Sequence, residues 1–517
     1  SPDVTKILSA AKFSGTTSKG LSVGLIQSVT ANEFARITGP GDNESKVKVE
    51  PLTNYLVGRI QKGYNAGNTV IGGMFTSTNR FIEDPEMEFL ADNAFTGGLD
   101  LLHHWNDKKF FVNAKLVGSY INGSQEALRL LQESSARYFQ RPGADYLGYD
   151  PSRTTLSGTG GKVQVGKGAG GNWKYSTAIS FLTPGLEMND LGYMRTADEI
   201  ENQNEVLYQT IKPVSIFRSF SVGFEQRNSW TFGGAYLGSD GEISFHSAFR
   251  NQWTFRVEAA YHSQDIDNKI LRGGYDMLMP ASYEFRGQLS TDGSKKFIAT
   301  LGGGYDKAAS NSASSWGIQP GISLRPFRIL KLGITADYEE NRDELQYVAT
   351  GIDLLYAAKR YILGTIDQKT LGLTLRADIN LTPEFSIQYY GSPFISRGKY
   401  SELKRVTSPE AKNYSDRFAV YQDPVYYDGM YFLSDNDAGV PFNVAIGNPD
   451  FNFHQFRSNL VAKWEYRLGS FIYLVWSSDK TGSNMFSGAS LEDSYGYLGD
   501  IYPNNIFIVK LNYWFSL

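Results

Sequence analysis

Apolar and polar residues alternate along most of the chain, and this period-two pattern predicts β-strands. In the clearest ribbon, Trp253, Phe255, Val257, Ala259 and Tyr261 alternate with Thr254, Arg256, Glu258 and His262. Because successive side chains of a strand point to opposite faces, one face of this ribbon is apolar and the other is polar. Charged side chains are costly in a dry core, so we expect the polar face to meet water.

Further ribbons repeat the pattern, with ionisable residues on the same side each time. They span 173–181, 330–338, 371–381, 460–466 and 507–517. The last one ends on Leu517 with aromatic residues at alternate positions before it. This ending resembles the closing strand of bacterial outer-membrane β-barrels, although Leu517 stands where that strand usually has Phe or Trp. We expect it to pair with a strand near the N-terminus, either 6–17 or one upstream of Ser1.

The connections between the ribbons are short at one end and long at the other. The short turns, rich in Gly, Asn and Asp, lie at 18–20, 66–68, 106–108, 169–171, 251–252, 292–294, 326–328, 382–384 and 468–470. The long connections are predicted at about 80–92, 122–152, 185–202, 265–280, 341–358, 397–450 and 480–504. Short periplasmic turns and long extracellular loops are typical of outer-membrane barrels.

The fold class predicted from these patterns is all-β, a single large transmembrane antiparallel β-barrel that occupies residues 1–517. The ribbons number about 23, and single-chain bacterial barrels normally have an even number of strands. We therefore expect about 24 strands (22–26) in the full protein, with one of them upstream of Ser1.

One segment departs from the β pattern. Residues 124–133 have helical spacing, with Ala127, Leu130 and Leu131 on one face and Ser124 as the N-cap. We expect a short helix in an outer loop, either lying on the barrel mouth or folding inward.

Composition agrees with a porin-like membrane barrel, in which only half of each strand faces lipid. Aromatic residues make up 14% of the chain and Gly numbers 53, whereas the mean hydropathy is slightly negative. A large secreted all-β protein, such as a propeller or a solenoid, is the alternative.

The net charge of −4 gives no electrostatic case for nucleic acid. Cysteine is absent, which excludes disulfides, thiolate metal sites and a cysteine nucleophile. The sequence that begins at Ser1 does not start with an export signal, and we expect an export signal to have preceded Ser1.

Several segments together resemble an uncharacterised family of outer-membrane β-barrel proteins common in Bacteroidota. They are Val4–Leu8, Glu50–Tyr55, Ser135–Pro142, Pro184–Asp190, Met194–Glu199 and Phe456–Asn459. The resemblance implies a Gram-negative bacterium and an integral outer-membrane location. Members of that family usually carry an N-terminal domain similar to carbohydrate-binding module family nine, which would precede Ser1. The family has no settled function, so a role in carbohydrate binding rests on that absent domain.

Catalytic and metal motifs are not apparent. The histidines have no metal-ligand spacing, and no Gly-x-Ser-x-Gly elbow is present. The glycines at 158–161 and 168–171 are interpreted as ribbon or turn glycines rather than phosphate cradles, since no helix follows them. Residues 435–439 resemble part of a calcium-binding EF-hand loop. The Glu that completes such a loop is absent, so we expect a surface turn. We therefore expect no enzyme activity, no cofactor and no metal.

The best candidate cluster lies in the long connections. It consists of Arg137, Tyr138, Arg141, Arg153, Glu187, Asp190, Arg195, Asp198 and Glu199. Such a cluster would form a constriction, hold a loop inside the lumen, or bind a sugar through aromatic faces and charged groups. The alternative is a solvated loop network that stabilises the barrel mouth. Basic and aromatic residues at 397–432 would contact lipopolysaccharide phosphates or a partner protein, or else form a packed loop cap.

Two functions follow from this pattern, and a third is weaker. The first is a pore or surface-capture component for carbohydrate-related solutes. The second is a structural or accessory subunit of a larger outer-membrane complex for protein export, insertion or nutrient uptake. An enzyme with its active site in the loops is the weakest of the three. The partners expected are outer-membrane lipid and lipopolysaccharide, with other outer-membrane proteins or surface lipoproteins, and no nucleic acid.

Overall fold

β-Strands dominate the computed structural model of the chain, which describes residues 5–38, 44–210, 212–352, 359–437, 440–484 and 491–514. The chain divides into two compact units. Unit 1 comprises residues 1–208, 223–241 and 265–279, and unit 2 comprises residues 209–222, 242–264 and 280–517. Within the described residues, no helix has both the length and the apolar character that a membrane crossing requires.

The elements of the first half of the chain begin with two long strands and a small hairpin. They are β1 Ile7–Thr16, β2 Leu21–Thr30, β3 Glu33–Thr38, β4 Glu44–Glu50, β5 Leu52–Tyr64, β6 Thr69–Phe81, β7 Ala91–Trp105, β8 Phe110–Gly123, α1 Gln125–Glu133, β9 Thr155–Lys167, β10 Trp173–Leu182, β11 Glu199–Thr210, β12 Phe217–Trp230, β13 Tyr236–Phe249 and β14 Thr254–His262.

The elements of the second half include the longest strands. They are β15 Asp265–Asp267, β16 Met277–Met279, β17 Ser282–Ser290, β18 Phe297–Ala308, β19 Ala313–Phe327, β20 Leu330–Ile352, β21 Lys359–Asn380, β22 Phe385–Val406, β23 Phe418–Val420, β24 Val425–Tyr427, β25 Met430–Asp437, β26 Val440–Gly447, β27 Phe451–Arg467, β28 Ser470–Asn484, α2 Leu491–Asp500 and β29 Asn504–Asn512.

Unit 1 contains an antiparallel ladder in which neighbours in the chain are neighbours in the sheet. Its strands follow the order β1, β2, β5, β6, β7, β8, β9, β10 and β11. The hairpin of β3 and β4 is inserted between β2 and β5. Sequential antiparallel pairing needs only short turns at one end, and the predicted turns at 18–20, 66–68, 106–108 and 169–171 are confirmed there.

The two faces of the unit 1 sheet differ as the alternation predicts. One face presents rows of apolar residues, and Ile60 and Leu99 are 52% and 66% exposed although they lie in mid-strand. The opposite face carries charged and amide groups, including an ion pair between Arg59 and Asp100. Lys162 Nζ also donates to Gln203 Oε1 at 3.1 Å. Large apolar side chains are therefore left exposed on one face of the sheet.

Unit 2 repeats this arrangement in the order β14, β17, β18, β19, β20, β21, β22, β27, β28 and β29. Cross-strand ion pairs line its polar face: Arg342 with Asp367 at 3.0 Å, Lys369 with Glu340 at 2.7 Å, and Arg457 with Asp479 at 2.8 Å. Apolar residues such as Phe285, Leu301 and Leu474 are exposed. The ribbons predicted at 330–338 and 460–466 lie within β20 and β27, and the ribbon predicted at 371–381 lies in β21 except for Leu381.

The structure corrects one expectation about strand length. The predicted long connection at 341–358 is wrong, because β20 continues to Ile352 and β21 begins at Lys359. The charged residues at 340–344 stay in β20, whose pairing with β21 becomes irregular after Asp343 and Tyr347. The described residues contain 21 strands of nine residues or more, and the number of strands in the barrel stays a prediction.

The last predicted ribbon is confirmed as a strand over residues 507–512, which lie in β29 and pair with β28. Tyr513 and Trp514 follow this strand, and Phe515 to Leu517 lie outside the described residues. The pairing of β29 with a strand near the N-terminus, which would close the barrel, stays a prediction.

Candidate functional site

Three long connections of unit 1 pack together and carry the candidate residues. They run through 124–154 between β8 and β9, 183–198 between β10 and β11, and 265–279. The first contains α1, whose predicted N-cap is confirmed: Ser124 Oγ accepts a hydrogen bond from Ala127 N at 3.0 Å. Capping satisfies one of the amides that a helix start leaves unpaired.

The buried face of α1 differs in part from the prediction. Ala127 is buried as expected, but Leu128 is buried in place of Leu130, which is 39% exposed. Gln132 is buried as well, because its side chain donates to the carbonyl oxygens of Leu128 and Asp150 and accepts from Asp150 N. A polar residue can be buried when its hydrogen bonds are satisfied in this way.

Two apolar clusters hold these connections in place. One contains Ala127, Leu128, Phe139, Ala144, Leu147 and Leu156, with Leu131 packed against it. The other contains Ala136, Leu186, Met194 and Ala197, with Val117, Leu182 and Met188 packed against it. The connections therefore have cores of their own and are packed segments rather than solvated loops.

A buried ion pair links the first two connections. Arg137 Nη1 lies 2.7 Å from Glu187 Oε2, and both side chains are buried. The guanidinium also donates to the carbonyl oxygen of Leu186 and, at 3.2 Å, to Ser134 Oγ. Burial lowers the pKa of Arg137, and the charge of Glu187 opposes this effect. The backbone amide of Glu187 donates to Ser119 Oγ of β8 at 2.9 Å, which anchors the pair to the sheet.

A second buried pair forms around Asp198. Arg141 Nη2 lies 3.1 Å from Asp198 Oδ2, and Tyr146 donates its hydroxyl to the same oxygen at 2.5 Å. Asp198 Oδ1 accepts from the backbone amide of Phe232 at 3.0 Å. Burial first, and then the hydrogen bond to Asp198, raise the pKa of Tyr146 to about 12. Buried pairs of this kind require full hydrogen bonding to offset their desolvation.

The remaining candidate residues are more dispersed. Asp190 pairs with Arg80 of β6 at 2.6 Å. Arg195 is exposed and donates from Nε to the Tyr193 hydroxyl at 2.6 Å. Arg153 is separate from the acidic residues, since its Nη2 donates to the carbonyl oxygen of Gly148 at 3.0 Å. The structure also buries Tyr138, which has a φ of +49°, and half-buries Glu199 at the start of β11.

Three residues that contact this cluster were not predicted from the sequence. Arg80 stands at the start of the long connection predicted at 80–92, Ser119 is an isolated polar residue shortly before the one at 122–152, and nothing in their spacing distinguishes them. Lys269 lies in the third connection, where its Nζ donates to Thr196 Oγ1. Burial lowers the pKa of Lys269, while the charges of Glu199 and Asp267 raise it. In the sequence, Lys269 was marked by its position in the long connection predicted at 265–280.

The glycines at 158–161 are confirmed as strand residues of β9, and Gly158 has a specific packing role. A Cβ at Gly158 would lie 2.1 Å from Leu186 N, and one at Gly185 would lie 2.2 Å from Ser157 O. The connection 183–198 thus crosses β9 at backbone-to-backbone distance. This crossing holds the connection against the polar face of the sheet.

A cleft of about 610 Å³ opens among these connections. Its lining combines the apolar residues Phe89, Leu130 and Leu131 with the polar or charged residues Arg80, Ser134, Ser135, Glu187, Asn189, Asp190 and Arg195. Tyr193 also lines the cleft and is 73% exposed. Of the nine residues predicted from the sequence, Glu187, Asp190 and Arg195 line this cleft.

The connection between β22 and β27 in unit 2 is partly packed and partly exposed. Arg417 is buried and donates to the carbonyl oxygens of Ala411 and Lys412. A core around Ile362, Leu403, Tyr421, Leu433 and Ile446 supports the connection. By contrast, Tyr426 and Tyr427 of β24 are exposed, at 53% and 72%.

The expected surface turn at 435–439 is wrong for its first residues, because Asp435 lies in β25. Its carboxylate lies 3.6 Å from Arg360 and 3.5 Å from Arg405, and these two ion pairs stabilise Asp435 in its position in the strand. Ala438 and Gly439 lie outside the described residues. In the described part of the chain, no group of three or more His, Asp or Glu side chains is arranged to hold a metal ion.

The chain is similar to solved structures of receptors and transporters, whose sequence identity to it is low. The FrpB iron transporter from Neisseria meningitidis is 10% identical, with 90% of this chain and 74% of that chain covered and a TM-score of 0.43. The siderophore receptor PirA from Acinetobacter baumannii is 9% identical, with 96% and 74% covered and a TM-score of 0.41. A mutant ferric enterobactin receptor from Pseudomonas aeruginosa is 7% identical, with 90% and 76% covered and a TM-score of 0.38. TM-scores below 0.5 do not determine a fold.

Comparison with the curated proteins finds no match. A family model, in contrast, matches almost the whole sequence, over residues 1–516. The chain therefore belongs to the family DUF5916, which is described as a domain of unknown function.

Proposed function

We propose that the protein is an integral β-barrel of the bacterial outer membrane. Mid-strand apolar residues are exposed in both units, for example Ile60, Leu99 and Leu301. A soluble protein rarely leaves so much apolar surface uncovered, whereas lipid covers it in a membrane. The full barrel would have about 24 strands (22–26), and the observed antiparallel ladders with short turns at one end support this proposal.

The proposed role of this barrel is to capture or pass a carbohydrate-related solute. The cleft of unit 1 is the observation that carries the proposal, because its lining combines apolar side chains with charged and amide groups. Ligand sites commonly have this composition, with a few polar groups that orient the ligand. Glu187, Asp190 and Arg195 are the predicted residues that would contact the solute or narrow its path.

Planar bilayers test this proposal directly. The purified protein is reconstituted, and its conductance is measured before and after addition of oligosaccharides of different length. Steady conductance that an oligosaccharide blocks is the expected result for a pore. Oligosaccharide binding without conductance would support surface capture alone. A protein that neither conducts nor binds oligosaccharides in detergent would contradict both forms of the proposal.

The second candidate is an accessory subunit of a larger outer-membrane complex. The exposed rings of Tyr426 and Tyr427 favour it, since aromatic residues are enriched at protein interfaces. Native purification followed by mass spectrometry would show a stoichiometric partner, and replacement of both tyrosines by serine would remove it. A wild-type protein that purifies alone would contradict this candidate.

Two further expectations belong to the same proposal. The protein is proposed to have no enzyme activity. It is proposed to contact lipopolysaccharide through the basic and aromatic connection between β22 and β27. The resemblance to a Bacteroidota barrel family with a module similar to carbohydrate-binding module family nine supports the carbohydrate-related role. Genome context and the full-length gene product would test that resemblance.

A further inference from the structure

The cleft of unit 1 is lined by both apolar and polar side chains. Phe89 and Leu130 are large, exposed apolar side chains in its lining. Ser134 and Asn189 supply hydroxyl and amide groups. A ligand that matches this mixed lining has apolar C–H surfaces together with hydroxyl groups, and a saccharide ring has this combination. The volume of about 610 Å³ lies within the range for small-molecule sites.

Three of the four charged residues in the cleft are neutralised by protein partners. Arg80 pairs with Asp190 at 2.6 Å, and Glu187 pairs with Arg137 at 2.7 Å. These pairs fix the local loops and leave little net charge. They also prevent both carboxylates from acting as unpaired anions in the cleft.

Arg195 is the exception among these charged residues. Its Nε donates to the Tyr193 hydroxyl, and the guanidinium carbon lies 5.5 Å from the centre of the Tyr193 ring. Throughout the described ranges, no carboxylate forms an ion pair with Arg195. The Tyr193 contacts orient the guanidinium while its two terminal nitrogens remain available. The cleft therefore has one unneutralised positive charge in a defined position.

We propose that this cleft binds saccharides that carry a carboxylate, such as oligomers of uronic acids. This inference rests on the proposed capture function and specifies its substrate class. The terminal nitrogens of Arg195 would form a bidentate contact with the sugar carboxylate, a geometry that guanidinium groups favour. The exposed faces of Tyr193 and Phe89 would contact the C–H surfaces of the rings. Ser134 and Asn189 would bind hydroxyl groups.

The test compares an oligogalacturonate with the neutral galacto-oligosaccharide of the same length. Binding to the purified full chain in detergent is measured by calorimetry at low ionic strength. The acidic oligosaccharide is expected to bind about tenfold more tightly, which is the scale of one charge-assisted contact. Arg195→Gln is expected to remove this preference, so that the variant binds the acidic and the neutral oligosaccharide equally. Tyr193→Ala is expected to weaken binding of both.

A matched control removes an exposed arginine elsewhere. Arg325→Gln makes the same change in unit 2, where Nη1 donates to the carbonyl oxygen of Gly293, and it is expected to keep the preference. Equal binding of the acidic and neutral oligosaccharides to the wild type would overturn the substrate class and leave the capture function standing. A preference that persists in Arg195→Gln would overturn the substrate class in the same way. A folded wild-type protein that binds neither oligosaccharide would overturn the capture function itself.

Discussion

Arg59 of β5 and Asp100 of β7 form a bidentate ion pair across the intervening strand β6. Two guanidinium nitrogens of Arg59 contact the two carboxylate oxygens of Asp100, with Nη2 lying 3.0 Å from Oδ2. Gly72 of β6 lies directly beneath the pair. A Cβ at this position would lie 2.6 Å from Arg59 Nη2 and 2.8 Å from Asp100 Oδ1. The pair can therefore close only because β6 has no side chain at that point.

Gly72→Ala is expected to separate Arg59 from Asp100. Both side chains are partly exposed, so the expected loss is modest, about 1 kcal/mol of unfolding free energy. Thermal unfolding in detergent would measure it as a lower Tm. Gly97→Ala is the matched control in β7, because a Cβ there would meet nothing within 4 Å. Equal Tm values for the two variants would contradict a role for Gly72 in this pair.

The period-two pattern predicted much of the fold because it reports directly on which strand residues share a face. β10, β14 and β27 lie where their ribbons were predicted. The extension of β20 to Ile352 was not predictable from the sequence. Its charged residues are typical of a loop, and only their pairing with β21 shows that they belong to the strand. Local composition does not show which residues of the next strand will pair with these charged residues.

The candidate site could be predicted only as a set of residues, and not as contacts. Arg137 and Glu187 are 50 positions apart, and no spacing rule joins them. In α1, the buried position is Leu128 because Phe139 and Leu156 lie on that side. A helical pattern cannot show which neighbours a helix will meet. The prediction of charged residues in the right connections followed from composition, but their burial follows from the packing of those connections.

The crossing of Gly158 and Gly185 predicts a strong effect from a small substitution. Gly158→Ala places a methyl group against the backbone of Leu186, which cannot move without detaching the connection 183–198. Overpacking of this kind typically costs about 1–3 kcal/mol. Limited proteolysis is expected to cut the variant within 183–198 much faster than the wild type.

Gly24→Ala is the control for this crossing. A Cβ at Gly24 in β2 would meet nothing within 4 Å, so the connection should stay protected in that variant. Unchanged cleavage in Gly158→Ala would mean that the connection is held by other contacts, such as the Arg137–Glu187 pair.

The buried pair of Arg137 and Glu187 predicts non-additive effects. Glu187→Gln leaves the Arg137 guanidinium buried without its counter-charge, and removal of one partner of a buried pair costs about 3–5 kcal/mol. Replacement of both residues, Arg137→Met with Glu187→Leu, is expected to recover most of this loss. A double-mutant cycle on the unfolding free energy would measure the coupling. Additive losses in the double variant would show that the two charges do not depend on each other.

The Tyr146–Asp198 hydrogen bond predicts a loss of stability at alkaline pH. The folded protein raises the pKa of Tyr146 to about 12, above the ordinary value of 10.0. A group whose folded pKa is raised contributes stability that is fully present below its unfolded pKa and is lost as pH rises through the folded pKa. The contribution of this hydroxyl should therefore be complete at pH 8 and disappear between about pH 10 and 12.

Tyr146→Phe isolates this contribution, because both proteins share every other titrating group. The wild type is expected to have the higher Tm at pH 8, by an amount equivalent to about 1–2 kcal/mol, since the hydroxyl donates to a buried carboxylate. Circular dichroism melts in detergent at successive pH values would follow the difference. The two Tm values should converge as Tyr146 ionises, because a tyrosinate cannot donate to Asp198 and would repel it. A gap that stays constant up to pH 12 would show that the hydroxyl keeps its proton throughout this range and would contradict the predicted titration, whereas equal Tm values at pH 8 would show that Arg141 and the Phe232 amide hold Asp198 without Tyr146.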